Sequence, residues 1–347
     1  MKIKKALAIG AVLMLIGTGC GATEEPDNLS SGMEAVQNLE YEDALRYFKD
    51  ALENDEDERL VCRGMGLAYM GLSQYEDAIA YLEKALQLSG GSPKEIDYDI
   101  NYYLATAYYK SGRQEDAIAV YDAILALRPK DKEAYYLRGC VRLYNGDYEG
   151  AKADFDASLA LDAQDYDRLI QIYQVLIDNG YKDVGREYLQ QAIADQEKTI
   201  SDYNMGRIYY YLEDYENARN SLLQVKISSD AEATLYLGRT YEALGDYNYA
   251  ASIYNDYTLK DQTHAEVYNQ LGLCRMQMGE YDLALLAFQT AMNIEGNGIM
   301  QSLKFNEIVA YEYMEDYKTA AALMGNYLKS YPDDAQAQRE YRFLKTR

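Results

Sequence analysis

The sequence predicts an all-α solenoid of stacked helix pairs, and two observations lead to this prediction. First, a short segment that in most copies reads Tyr-x-x-Ala recurs about every 34 residues, a period typical of stacked supersecondary units. Second, an apolar residue follows each alanine by four positions, which places both side chains on one face of a helix. The nine alanines or their equivalents are Ala44, Ala78, Ala117, Ala151, Gly185, Ala218, Ala250, Ala284 and Ala320.

The N-terminal segment 1–19 differs from the repeats. Lysines at positions 2, 4 and 5 precede an apolar stretch, residues 6–16, that is too short to span a bilayer as a helix. The sequence Ile16-Gly17-Thr18-Gly19-Cys20 then resembles the lipobox of bacterial lipoprotein signal peptides. A plain secretory signal with an incidental cysteine is the alternative interpretation.

The lipobox resemblance implies a signal peptide over residues 1–19 and lipidation of Cys20 as the first residue of the mature chain. Residues 20–28 would then form the lipidated end and a short polar tether. We therefore expect an exported protein, anchored by lipid to the outer face of a bacterial membrane in the cell envelope.

The repeats themselves resemble the tetratricopeptide repeat, which pairs a helix carrying Leu-Gly-x-x-Tyr with a second helix carrying Ala-x-x-x-Phe. The first part appears here as Met65-Gly66 with Tyr69, Met205-Gly206 with Tyr209, and Leu237-Gly238 with Tyr241. The resemblance implies a right-handed superhelix of about nine helix-turn-helix repeats over residues 29–347. The small residues are expected where the two helices of a repeat cross closely.

Three places depart from the regular pattern. Residues 89–93, Ser-Gly-Gly-Ser-Pro, lengthen one spacing and indicate a loop insertion. The fifth repeat is the most degenerate, because it has Tyr173 where the first-helix glycine belongs and Gly185 where the alanine belongs. The ninth repeat has Ile308 in the glycine position.

A final helix is expected to begin at about residue 334, after Pro332, with Asp334 as its N-cap. Its apolar stripe consists of Ala337, Tyr341 and Leu344, and polar side chains cover the other face. Such a helix is typical of the capping element that closes a repeat array.

Composition limits the classes of function. The net charge is -23, from 34 basic and 57 acidic residues. Such a chain lacks the basic surface that nucleic acid requires, so nucleic acid is not an expected partner. Tyrosine is unusually abundant, at 38 residues, whereas tryptophan is absent.

No catalytic motif, cofactor motif or metal-binding motif is present, and the sequence therefore predicts no enzyme, no cofactor and no metal site. Cys62, Cys140 and Cys274 lie on different repeats and are expected to be small buried side chains rather than a disulfide framework. The single histidine, His264, is expected at the start of a helix rather than as a general base.

In the tetratricopeptide-repeat family, ligands usually lie in a concave groove lined by the first helix of each pair. Carrying its groove positions onto this chain gives a surface rich in tyrosine. Arg207 and Arg239 occupy matching positions one repeat apart and are expected to bind a carboxylate or backbone carbonyls of an extended peptide; alternatively they neutralise Glu242 or Asp246. The predicted groove residues are Tyr102, Tyr109, Tyr136, Tyr144, Tyr203, Arg207, Tyr210, Arg239, Glu242, Asn269 and Tyr313.

These features together predict a membrane-anchored scaffold outside the cytoplasm that binds an extended peptide or helix of a partner protein. Its resemblance to lipoproteins of this family that assist the assembly of envelope complexes implies a similar role. A carbohydrate-binding lipoprotein is the alternative, because exposed tyrosine rings also stack on sugars. The sequence leaves the partner, the type of membrane and the oligomeric state open.

Overall fold

The structure is a computed structural model that describes residues 27–196, 199–225 and 230–347. The signal-peptide prediction, Cys20 and most of the predicted tether lie outside these residues. Within the described residues the chain forms nineteen helices and no strand, which confirms the all-α prediction. The helices are α1 (Asn28–Gln37), α2 (Tyr41–Glu53), α3 (Glu58–Gly71), α4 (Tyr75–Gln87), α5 (Glu95–Ser111), α6 (Gln114–Leu127), α7 (Lys132–Tyr144), α8 (Tyr148–Leu161), α9 (Tyr166–Asp178), α10 (Lys182–Gln196), α11 (Asp202–Tyr211), α12 (Tyr215–Leu222), α13 (Ala231–Ala243), α14 (Tyr247–Thr258), α15 (Ala265–Gln277), α16 (Tyr281–Met292), α17 (Met300–Tyr313), α18 (Tyr317–Ser330) and α19 (Ala335–Leu344).

The helices follow one another as nine pairs, each with an odd-numbered first helix and an even-numbered second helix, and α19 follows the last pair. The chain divides into two compact units, of which the first extends to Lys152 and the second begins at Ala153, inside α8. Within each unit most consecutive helices pack against each other, for example α3 against α4 and α15 against α16, as expected for a solenoid.

Glycine in the first helix of a repeat allows the second helix to approach closely. A β-carbon on Gly66 would stand 2.6 Å from Cγ of Leu82, and one on Gly206 would stand 2.5 Å from Cγ of Leu222. Both leucines are fully buried. The apolar residue sixteen positions later therefore fills the space that a side chain at the glycine would need. The two helices of the repeat cross closely at this point, as the sequence predicts.

The fifth repeat brings its two helices together with a glycine on the second helix instead of the first. Tyr173 occupies the glycine position of α9 and is only 4 % exposed. Its ring meets α10 at Gly185, where a β-carbon would stand 3.1 Å from the ring atom Cδ2. The repeat that is most degenerate in sequence is therefore regular in its packing.

The turn within each repeat needs one residue in the left-handed region of the backbone. Glycine fills this position in some repeats, for example Gly112 at φ 87°. Leu39, Ser73, Glu213 and Glu315 fill it elsewhere with φ between 59° and 65°, a conformation that costs an L-residue about 1–2 kcal/mol.

The second helix then begins with a tyrosine in most repeats, preceded by a capping residue. The Asp246 carboxylate accepts a hydrogen bond of 3.0 Å from the backbone amide of Tyr249, and Asp316 accepts one of 3.1 Å from Thr319. These bonds satisfy amide groups that otherwise lack a partner at a helix start. The tyrosine packs onto the next repeat: the ring of Tyr41 lies over Gly71, the last residue of α3.

The predicted loop insertion and the final helix are both confirmed. Residues 89–93 lie in the connection between α4 and α5. Asp334 caps α19 by accepting hydrogen bonds of 3.0 Å from the amides of Gln336 and Ala337. Ala337 and Leu344 are buried in one cluster with Met324 of α18, so α19 covers the end of the last pair.

Candidate functional site

All of the predicted groove residues lie on first helices. Tyr102 and Tyr109 are on α5, and Tyr136 and Tyr144 on α7, all within the first unit. The remaining residues are on first helices of the second unit. They are Tyr203, Arg207 and Tyr210 on α11, Arg239 and Glu242 on α13, Asn269 on α15 and Tyr313 on α17.

In the first unit, two of the four tyrosines are largely committed to the packing of α5 and α7. The hydroxyl of Tyr102 donates a 2.7 Å hydrogen bond to the carboxylate of Asp131, which caps α7. Burial and this carboxylate both raise the pKa of Tyr102 well above its usual value. Tyr136 is 9 % exposed. Tyr102 thus connects α5 to α7, and the burial of Tyr136 leaves little of its surface for a ligand.

Tyr109 and Tyr144 form the more open part of this surface. Their ring centroids are 5.7 Å apart, and Tyr144 is 41 % exposed. The Lys110 ammonium lies 5.9 Å from the centroid of the Tyr109 ring, and burial raises the pKa of Tyr109 to about 12. This pair offers an aromatic edge with one nearby positive charge.

The second unit holds a denser cluster of tyrosine rings on α9, α11 and α13. Tyr210 contacts the rings of Tyr211 and Tyr236 edge-on, with centroids 5.6 Å away in both cases. The hydroxyl groups of Tyr211 and Tyr236 are 3.1 Å apart. The Tyr173 hydroxyl donates to the backbone carbonyl of Tyr211 at 2.6 Å. This tyrosine cluster, which also includes Tyr203, joins three successive first helices.

Arg207 lies inside this cluster and is only 6 % exposed. Its guanidinium pairs with Asp167 at 2.6 Å and lies 5.1 Å from the ring centroid of Tyr203 and 5.4 Å from that of Tyr236. Burial alone would lower the pKa of Arg207, but the bond to Asp167 and the neighbouring tyrosines raise it. The expected alternative partners, Glu242 and Asp246, are wrong for Arg207, because the acidic residue that it binds lies one repeat earlier.

Arg239 differs from Arg207, although both occupy the same position in the repeat. It is partly exposed, and the described part of the chain provides no ion-pair partner for it. Its charge counteracts the rise that burial causes in the pKa of the Tyr210 hydroxyl, so the two groups are neighbours. Of the two predicted arginines, Arg239 is the more exposed one, and its nearest acidic neighbour on the same helix is Glu242.

Glu242 lies one helical turn after Arg239 and is held by other groups. Its carboxylate accepts a 2.5 Å hydrogen bond from the hydroxyl of Tyr254. Burial raises the pKa of Glu242, while bonds from Tyr254 and Cys274 and the charge of Arg239 offset part of that rise. Glu242 thus contributes a fixed carboxylate beneath the surface rather than an open contact.

Asn269 and Tyr313 complete the predicted set. The Asn269 side-chain oxygen accepts a 2.8 Å hydrogen bond from the amide of Asn306, which connects α15 to α17. Tyr313 lies at the end of α17, is 62 % exposed and stacks on Tyr281 at a centroid distance of 5.6 Å. It belongs to the edge formed by the turns, apart from the tyrosine cluster.

The residues that sequence reasoning missed are the acidic partners on the preceding or following repeat. Asp167, Asp131 and Asp99 each lie near the start of a first helix and bind an arginine or tyrosine of an adjacent first helix; Asp99 accepts from Nε of Arg63 at 2.6 Å. A recurring acidic residue at or near the start of the first helices is the signal that would have indicated them.

The remaining sequence predictions concern catalytic and metal chemistry. Cys62, Cys140 and Cys274 are buried thiols on α3, α7 and α15. His264 is the N-cap residue of α15, as expected, and its Nδ1 atom lies 3.0 Å from the hydroxyl of Tyr257. The described residues contain no His, Cys, Asp and Glu group arranged to hold a metal ion. They also contain no helix of the length and apolar character needed to cross a membrane.

Comparison with known protein families identifies the repeats. Family models described as tetratricopeptide repeat match residues 29–93 and 203–263, residues 69–139, and residues 132–165 and 265–297. A TPR repeat-containing protein of Methanocaldococcus jannaschii is 23% identical over 211 residues, which cover 57% of this chain and 35% of that protein. The chain thus spans about a third of the length of this curated relative.

Solved structures with a similar fold include two further proteins. A tetratricopeptide repeat protein from Parabacteroides merdae aligns with a TM-score of 0.42 and 16% identity, over 82% of this chain and 97% of that one. Yeast Tom70 aligns with a TM-score of 0.47 and 14% identity, over 92% of this chain and 87% of its own.

Proposed function

Because this chain belongs to the tetratricopeptide-repeat family, whose members are generally scaffolds for protein–protein interaction, we propose that it is a lipid-anchored scaffold outside the cytoplasm. The proposed ligand is an extended segment or a helix of a partner protein. The proposed binding surface consists of Tyr210, Arg239 and Asn269 on α11, α13 and α15. We propose no enzymatic activity.

The observation that supports this surface most is the state of Arg239. In a chain with a net charge of -23, an arginine on a shared surface is expected to find a carboxylate, as Arg207, Arg63 and Arg59 do. Arg239 is partly exposed and has no such partner within the described residues. A guanidinium left unpaired among tyrosine side chains is a suitable contact for a carboxylate or a backbone carbonyl of a ligand.

The neighbouring side chains suit a peptide. The Tyr210 ring is held edge-on by Tyr211 and Tyr236, so little side-chain entropy is lost when a ligand covers it. Asn269 keeps its amide group as a donor, because its oxygen is the atom that Asn306 binds. Backbone carbonyls of an extended segment are acceptors for both amide and guanidinium donors.

The proposed anchor is the lipid on Cys20. The lipobox resemblance of residues 16–20 is its support. A lipid anchor would concentrate the scaffold at the membrane surface and thereby raise the occupancy of a partner bound with modest affinity. Assembly of an envelope complex is the role that we propose for such a tethered scaffold.

The surface is tested with the full-length chain in its native envelope. Proteins crosslinked to the wild type, to Arg239→Glu and to Arg339→Glu are identified by mass spectrometry. Arg339 is exposed on α19 and has no ion-pair partner in the described chain, so its substitution changes the net charge equally. A partner captured by the wild type and Arg339→Glu but lost with Arg239→Glu supports the proposal. Identical capture by all three proteins contradicts it.

The anchor has its own test. Metabolic labelling with a radioactive or alkyne-bearing fatty acid should label the wild type and not Cys20→Ser. Membrane fractionation should move the Cys20→Ser protein from the membrane pellet to the soluble fraction. A labelled Cys20→Ser protein would overturn the assignment of the anchor without affecting the surface around Arg239.

A further inference from the structure

A second candidate site lies at the edge of the second unit, where the turn between α15 and α16 meets the end of α17. An open cavity of about 500 Å³ is found there. The residues that matter for its chemistry are Tyr281, Asp282, Leu283, Tyr313, Met314 and Glu315. None of them takes part in the surface proposed around Arg239.

The cavity lies beside a pair of residues that differs between repeats. In the first repeats the turn tyrosine, Tyr41, lies over Gly71 at the end of the next first helix. The equivalent pair here is Tyr281 and Tyr313, whose rings stack with centroids 5.6 Å apart and planes 27° apart. A second ring thus stands where the second repeat has a glycine, and both stacked rings line the cavity.

Several of the lining side chains are large, apolar or aromatic, and exposed. Tyr313 is 62 % exposed, Leu283 48 % and Met314 37 %. The next turn of α16 adds Leu286, which is 62 % exposed. Large apolar side chains grouped on a surface often mark a binding site.

All of the charged residues that line the cavity are acidic. The carboxylates of Asp282 and Glu315 are exposed, and neither has an ion-pair partner in the described part of the chain. Glu280 also lines the cavity, but Arg275 already binds it. No lysine or arginine is among the lining residues. A cation is therefore the complementary ligand.

We propose that this turn cavity binds an arginine or lysine side chain presented by a segment of a partner protein. The aliphatic stem would lie on Leu283 and Met314, as long charged side chains do on apolar surfaces. The cation would lie against the face of Tyr313 and between the two free carboxylates, where the aromatic face and the negative charges both attract it.

The test uses the full-length chain in detergent and a blocked peptide containing Leu, Arg and a photoreactive phenylalanine. The control peptide has the same sequence with Gln in place of Arg. After illumination, mass spectrometry locates the labelled segments. We expect the arginine peptide to label the segments 279–283 and 313–315, and the glutamine peptide to label them at least tenfold less.

Two variants address the lining directly. Asp282→Asn combined with Glu315→Gln should reduce labelling about tenfold by removing both carboxylates, a change equivalent to about 1.4 kcal/mol. Tyr313→Gly restores the arrangement of Gly71 and should abolish labelling. Both changes are at exposed positions, and an unchanged melting temperature would show that the variants remain folded.

Two control variants show whether the labelling depends on this cavity. Glu42→Gln changes the equivalent turn of the first repeat, and Arg339→Glu changes an exposed charge on α19; neither should reduce the labelling. Equal labelling by the glutamine peptide, or labelling that persists in Tyr313→Gly, would overturn the proposal. Competition by a soluble oligosaccharide without any arginine dependence would overturn it too, and would assign the stacked rings to a sugar.

Discussion

The ring of Tyr173 lies against Gly185, with its Cδ2 atom 3.1 Å from the place where a β-carbon on Gly185 would stand. In repeats such as those of Gly66 and Gly206 the glycine is on the first helix, and the bulky side chain comes from the second. Here the first helix carries the bulky Tyr173, the second helix keeps the buried Leu189, and Gly185 on the second helix makes room for the Tyr173 ring. The two substitutions compensate each other, and neither position is understandable alone.

This compensation predicts a coupled pair of mutations. Gly185→Ala should lower the free energy of unfolding by about 1–3 kcal/mol, because the new methyl group meets both the ring and the backbone carbonyl of Tyr173. In a Tyr173→Ala background the same change should be neutral or stabilising, since alanine favours a helix by about 1 kcal/mol over glycine. Urea denaturation of the four proteins measures the coupling. Additive effects would contradict it.

Arg207 and Arg239 should differ in their effect on stability. Arg207→Ala removes the ion pair with Asp167 and contacts with two rings, and should cost about 2 kcal/mol. Arg239→Ala should change the free energy of unfolding by less than about 0.5 kcal/mol, because no structural partner is lost. Denaturant midpoints of the two variants provide the comparison. A loss in Arg239→Ala as large as that in Arg207→Ala would show that Arg239 stabilises the fold and is not held available to a ligand.

Leu39 offers a stabilising substitution. It is 69 % exposed and has a φ of 63°, so its side chain contributes little packing while its backbone is strained. Leu39→Gly should raise the free energy of unfolding by about 0.5–1 kcal/mol, the relief of left-handed strain less the entropy cost of glycine. Leu39→Ala is the matched control, because it removes the same side chain but keeps the strain. Equal stability of the two variants would exclude relief of strain as the cause.

The attachment of α19 should depend on pH through Glu312. Burial and the neighbouring Glu340 carboxyl raise the pKa of Glu312 to about 7. A carboxyl whose pKa is higher in the folded state binds its proton more tightly when folded. The resulting stability is full below the unfolded pKa of about 4.3 and is lost as the pH rises towards 7.

Glu312→Gln should therefore raise the melting temperature at pH 8 relative to the wild type and have little effect at pH 4. Thermal unfolding followed by circular dichroism at the two pH values measures the difference. Glu295→Gln serves as the control, because Glu295 is exposed. A pH-independent effect of Glu312→Gln would rule out the carboxyl pair as its source.

The repeat period predicts the fold well, because each helix pair repeats the same small and large residues at fixed spacing. The candidate groove residues all lie on first helices, where the repeat pattern puts them. It does not separate Arg207 from Arg239, since their positions in the repeat are identical. The difference arises from Asp167 one repeat earlier, and pairing between repeats depends on the directions of side chains rather than on their spacing.

The turn cavity escapes sequence-based prediction for a related reason. The spacing of Tyr313 from the glycine position of its own repeat predicts a place in the groove. Its actual neighbour is Tyr281 of the preceding repeat. Only the stacking of two repeats brings those rings together, and a pattern read within single repeats does not contain that information.

The tyrosine cluster of α9, α11 and α13 also gives this protein an optical property. Tryptophan is absent and tyrosine is abundant, at 38 residues, so aromatic absorption and emission in the near ultraviolet come mainly from tyrosine. Rings fixed in asymmetric surroundings produce near-ultraviolet circular dichroism, which disappears when tertiary packing is lost. Since Tyr210 contacts both Tyr211 and Tyr236, a ligand that moves its ring would change this signal. Binding to the second unit would then be visible in the unlabelled protein.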